Sequence, residues 1–120
     1  MSTWNLEGTI RHVLICNGGS CLKMGAEEVT TAIRSEISAV GADHFIHTTR
    51  TRCNGRCDDR CVVIVYPDGV WYRNMTPEDA PRLVRDHLID GNPLYDMSVY
   101  TFETQLQASG KSSVGERKPS

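Results

Sequence analysis

HVLICN (12–17) is a short apolar run that stops at the pair Gly18-Gly19, the pattern of a buried strand running into a loop. From Gly25 the interval changes. Val29, Ala32, Ile33, Ile37 and Val40 recur at helical spacing, with Glu27, Glu28, Arg34 and Glu36 on the other side. This predicts an amphipathic helix closed by Gly41. HFIHTTRTR (44–52) alternates roughly and is rich in β-branched and aromatic residues, which predicts a second strand. A polar loop follows from Cys53 to Arg60. VVIVYPDGVWY (62–72) reads as a hairpin turning at Asp68-Gly69, the dipeptide favoured in tight turns. TPEDAPRLVRDHL (76–88) opens with Thr76 as N-cap, Pro77 at the first helical position and Asp79 two residues later; that order predicts a helix start. Leu83, Val84 and Leu88 form its apolar face. Residues 91–102 read as a loop or extended arm. From Gln105 the apolar content collapses into a tail rich in Ser, Gly and Lys, which is expected to be disordered.

The predicted order is β-α-β-β-β-α. It suits one α/β domain of two layers, a small mixed sheet of about four strands with two main helices against it, and resembles a thioredoxin-like arrangement. The expected boundaries are an N-terminal extension over 1–10, the domain over 11–104 and the tail over 105–120.

Composition narrows the function classes. A chain of 120 residues with net charge -2 and pI about 6.0 fits one domain without the basic footprint of a nucleic-acid binder. No apolar run approaches the roughly 20 residues needed to cross a bilayer. MSTWNLEGTIRH lacks the basic and apolar regions of a signal peptide. The expected compartment is therefore the reducing cytoplasm.

Five cysteines then stand out: Cys16 and Cys21 in CNGGSC, and Cys53, Cys57 and Cys61 in RCNGRCDDRC. Both groups follow predicted strands, and such loops converge at one end of a small sheet. Four readings are open. Buried thiols acting as small hydrophobes suit Cys16 but not a loop of Asn, Gly, Arg and Asp. A disulfide framework conflicts with an odd count and a reducing compartment. Structural zinc and thioredoxin-type dithiols favour C-x2-C spacing, whereas the spacings here are C-x4-C and C-x3-C. An iron–sulfur cluster suits wider loops, because four thiolates must reach two irons around two bridging sulfides. Glycines at 18, 19 and 55 let the backbone pass close to bulky sulfur. Arg50, Arg52, Arg56 and Arg60 flank the second loop. They supply either a positive field that raises the potential of an anionic cluster or a solvated, partner-docking face.

CNGGSC, the acidic-capped helix, TTRTRCNGRC and VVIVYPDGVWY together resemble the thioredoxin-like [2Fe-2S] ferredoxin family. They are similar also to the thioredoxin-like iron–sulfur subunit of respiratory complex I, whose first ligand loop is equally short. The likeness covers about residues 10–90. It implies cluster ligands at Cys16, Cys21, Cys53 and Cys57, a [2Fe-2S] cofactor and a one-electron carrier with no catalytic residues of its own. The implied partners are redox proteins, a reductase and an acceptor enzyme. Free members of the family tend to be homodimers, for which Tyr95, Tyr100 and Phe102 offer an interface. Cys61 falls where the family carries proline or an apolar residue and is expected to be a buried, non-ligand thiol. The alternative readings are an accessory iron–sulfur subunit of a larger NADH-linked oxidoreductase and a zinc-stabilised interaction module. Ser20, Thr48 and Thr49 are candidate hydrogen-bond donors to sulfur. His12 and His87 have no evident partner, and His44 and His47 read as surface or rim residues.

Overall fold

The structure is a computed structural model and describes residues 2–119; Met1 of the expected N-terminal extension and Ser120 of the expected tail lie outside the described residues. The apolar run near the N-terminus forms β1 (Arg11–Cys16), and HFIHTTRTR supplies β2 (Ile46–Thr51). Between them lie the five-residue helix α1 (Gly19–Lys23) and the amphipathic α2 (Ala26–Ala39). The hairpin supplies β3 (Val63–Tyr66) and β4 (Val70–Tyr72). Helix α3 (77–89) begins with a 3-10 turn, Pro77–Asp79, and winds out to a π-helix over Leu83–Ile89. The Asp79 carboxylate accepts from both the N–H and the hydroxyl of Thr76, closing the predicted helix start.

Two strands were not anticipated. The extended arm contains β5 (Ser98–Phe102), and the tail contains β6 (Leu106–Ala108). The sheet therefore has six strands rather than about four, in the order β2-β1-β3-β4-β5-β6. Among the described residues it carries three helices rather than two. Strand β6 leaves no apolar signature because all three of its residues are exposed. It is held by backbone pairing of residues 106–108 with 100–102, which makes no demand on side-chain type. Only β1 and β2 are parallel; every other pair is antiparallel.

The parallel pair decides where the chemistry sits. Cys16 at the end of β1 lies opposite Thr51 at the end of β2, so both cysteine loops leave the sheet side by side. Ligand sites of α/β folds gather at such strand ends. Val13 and Ile15 of β1, Val29, Ile33 and Ile37 of α2, and Leu83, Val84 and Leu88 of α3 are buried in one core, which fixes both strand ends against the helices.

His87, without an evident partner in the sequence, is fully buried and doubly bonded. The Leu94 N–H donates to the Tyr72 hydroxyl at 2.9 Å, and that hydroxyl lies 2.6 Å from His87 Nδ1. With its oxygen accepting from Leu94, Tyr72 donates to Nδ1. The imidazole proton then sits on Nε2 and is donated to Asp68 at 2.7 Å. This chain ties the hairpin turn to α3 and β4. Burial lowers the His87 pKa, although Asp68 pulls the other way. In the unfolded chain the imidazole titrates near its ordinary value of about 6.5. The folded state takes up that proton only at lower pH, so stability is flat above about pH 7 and falls below about 6.5, by at most about 1.4 kcal/mol per pH unit for this group. His12, lowered by burial and by His47, adds a drop of the same sign. Thermal unfolding between pH 7.5 and 5 should show a falling midpoint, and His87→Asn should flatten that dependence while lowering the baseline. A midpoint that rises on acidification would contradict this assignment.

Candidate metal centre

Four of the five thiols meet. Cys16, Cys21, Cys53 and Cys57 line one small cavity, whose remaining walls are Gly18, Ser20 and Arg56. Cys16 is the last residue of β1. Cys21 is presented by α1, a helix too short to have registered as a periodic pattern. Cys53 follows β2, and Cys57 opens a 3-10 turn, Cys57–Asp59. The thiols form two neighbouring pairs. Cys53 Sγ and Cys57 Sγ are 3.8 Å apart, and Cys16 and Cys21 are near enough to shift each other's ionisation. The inner pair is buried in the core and the outer pair is exposed. Among the described residues no three His, Cys, Asp or Glu side chains are gathered about one metal-ion position; what the thiols share is the cavity between the pairs.

The two loops touch through glycine. A Cβ built on Gly18 would fall 2.8 Å from both Cα and N of Cys53, inside any real carbon contact. Gly19 faces open space, and Gly55 is needed for its positive φ of 78°. Three glycines that look alike in the sequence therefore differ in role.

A backbone N–H points at sulfur. Gly55 N donates to Cys53 Sγ at 3.3 Å. Burial works against ionisation of Cys16, but its neighbours Gly18, Cys21 and Asn54 favour the anion and hold its pKa below the ordinary value; the Asn54 side-chain amide itself donates to Thr51 Oγ1 at 2.8 Å. Burial pushes Cys21 the other way, up to about 12, against a hydrogen bond from the Val62 N–H and with Cys16 and Cys61 adding to the rise. Asn54 was not singled out in the sequence; its place directly after a candidate ligand was the available signal. Thr48 and Thr49 do not serve the sulfurs. Thr48 accepts from Arg34 at 2.8 Å, and Thr49 pairs with His12 at 2.7 Å. Ser20 is on the cavity wall.

Cys61 stands apart. It is buried, does not line the cavity, and its Sγ lies 3.4 Å from the Cys21 carbonyl and 3.5 Å from that of Met24. Its thiol caps the end of α1 from below. The four arginines also separate. Arg50 is paired with Glu27 at 2.8 Å on the exposed surface, Arg52 is exposed, and Arg60 donates to the Cys57 carbonyl at 3.4 Å. Only Arg56 lines the cavity. Of the arm aromatics, Tyr95 and Phe102 are exposed, whereas Tyr100 is half-buried, edge-on to Trp71 with ring centres 6.0 Å apart.

The chain resembles known proteins along most of its length. A family model for thioredoxin-like [2Fe-2S] ferredoxins matches residues 3–87. A provisionally named 2Fe-2S ferredoxin of Priestia megaterium is 47% identical over 113 residues, spanning 94% of this chain and 88% of that one. A 2Fe-2S ferredoxin of Aquifex aeolicus is 37% identical over 94 residues, spanning 70% and 84%. The solved structure of a thioredoxin-like [2Fe-2S] ferredoxin from Aquifex aeolicus superposes with a TM-score of 0.75 at 32% identity, over 79% of this chain and 94% of that one.

Proposed function

This chain belongs to the thioredoxin-like [2Fe-2S] ferredoxin family, and from that premise we propose that it is a one-electron carrier whose cluster is held by Cys16, Cys21, Cys53 and Cys57. The observation that carries the reading is the single cavity lined by four thiols in two pairs, one buried and one exposed. The site's chemistry fits such a group. Soft thiolates are the ligands iron–sulfur clusters take. Gly18 leaves room that a Cβ would fill, and the Gly55 N–H already donates to Cys53 Sγ, a sulfur that would carry negative charge. Such donors stabilise anionic sulfur. When bound, the cluster takes up and returns one electron.

The protein's own part follows from the burial pattern. The inner thiols would anchor the group to the core and keep water from one side. The outer pair lies at the surface and would present the group to a redox partner there. Arg56 lines the cavity with its charge paired to the buried Asp59 at 2.8 Å. In this reading the partners are a reductase that supplies the electron and a metabolic acceptor enzyme that consumes it. Among the described residues no helix is long and apolar enough to cross a membrane.

Protein purified without oxygen should be red-brown, bleach partly with dithionite, and contain about two irons and two sulfides per chain. Colourless protein with stoichiometric zinc and no sulfide would overturn the carrier reading.

A further inference from the structure

The segment after β6 lies beyond the region matched by the family model, yet it is tied to the second cysteine loop. Gly110 turns the chain with φ +82°, and the next residues run back over residues 53–60. The Ser112 hydroxyl donates to Asp59, and the Ser113 hydroxyl to Asp58 at 3.0 Å. The carbonyls of Ser113 and Val114 accept from Arg56 Nη2 at 2.5 Å and Nη1 at 3.3 Å. Arg56 Nε is 2.8 Å from Asp59, whose side chain is 1% exposed, and the guanidinium lies 5.2 Å from the centre of the Tyr100 ring. Every nitrogen of this guanidinium is thus engaged. Its neighbours Arg52 and Arg60 are exposed, as a solvated basic face would have them.

We propose that Arg56 is the positioning residue for the outer thiol pair, Cys53 and Cys57, and that residues 109–115 form a strap that holds Arg56 in place. The inference rests on reading those two thiols as cluster ligands. It answers a mechanical need: apart from the one turn at Cys57–Asp59, the loop has no regular structure, and its two thiols are exposed. A planar, five-donor fork can bind a carboxylate and two carbonyls at once; a lysine in its place would supply the charge but not the fork.

The test uses the cluster-loaded full chain, Arg56→Lys, Arg56→Ala, a chain ending at Ser109, and the truncation combined with Arg56→Ala. Iron and sulfide are counted first. The loss of visible absorbance in excess EDTA is then timed, and hydrogen exchange is followed over residues 53–60 and, as a control, over the hairpin 62–72. We expect each variant to load its cluster. Arg56→Ala and the truncated chain should lose it roughly tenfold faster, the scale of one hydrogen bond to a charged group. Arg56→Lys should fall between. Exchange should quicken over 53–60 and stay unchanged over 62–72. The combined variant should lose it more slowly than the product of the two single effects, because both changes remove the Arg56 hold on the loop. Wild-type rates in the truncated chain, or effects that multiply in the combined variant, would overturn the proposal. A wild-type chain without iron or sulfide would defeat the carrier reading instead, and the exchange data would still decide whether the strap holds the loop.

Discussion

Cys16→Ser and Cys57→Ser should each abolish or grossly alter the cluster's visible spectrum, while Cys61→Ser leaves it close to that of the parent. The two groups of thiols differ in direction, not only in number. Cys16 sits on the buried floor of the cavity, and Cys57 is 3.8 Å from Cys53 at its rim. A hydroxyl in either place is a harder and less acidic donor than a thiol, and at Cys16 no solvent can take its place. Cys61 Sγ instead faces the carbonyls of Cys21 and Met24, and a serine hydroxyl can donate to the same acceptors. Absorption spectra with iron and sulfide determinations on the three variants decide the matter. An unchanged spectrum in the first two would remove the ligand assignment, and a bleached Cys61→Ser protein would require a different ligand set.

The second large effect is expected at a residue with no side chain. Gly18→Ala should destabilise the protein by about 1–3 kcal/mol, the range for overpacking a tight contact, and should lower cluster occupancy. The new Cβ would meet the backbone of Cys53 at 2.8 Å, and backbone has no rotamer by which to yield. The φ of Gly18 is -64°, which alanine adopts freely, so the cost is contact and not conformation. Gly19→Ala is the matched control. Nothing lies within 4 Å of its Cβ and it opens helix α1, where alanine is favoured over glycine by up to about 1 kcal/mol. Denaturant midpoints and iron content of the two variants should move in opposite directions or, for Gly19→Ala, hardly at all. Equal losses in both would show that the loops do not meet at Gly18.

Much of the fold was legible because its core elements bury side chains periodically. Strand β1, helix α2, the hairpin and the start of α3 all announced themselves that way. The meeting of the two cysteine loops was legible too, since both follow strands. Helix α1 was not, because five residues give no period to read. Strands β5 and β6 were missed for a different reason: their pairing is backbone to backbone, and β6 keeps its side chains in water. His87 lies 15 residues from Tyr72 and 19 from Asp68, and only the packing of α3 against the hairpin brings them together. Among four similar arginines, Arg56 is distinguished by a tail more than fifty residues away, a relation no local pattern contains.

The unequal burial of the two thiol pairs carries a consequence for traffic. A cofactor walled off on one flank and open on the other has a single doorway. In the proposed carrier role, a donor and an acceptor that both need close approach would have to queue for it, because neither could transact while the other occupied the threshold. A carrier built this way works as a ferry and not as a wire: it has to leave one berth before it can tie up at the next. In that role its encounters would have to be short, and rapid release would be as much a requirement of the design as recognition.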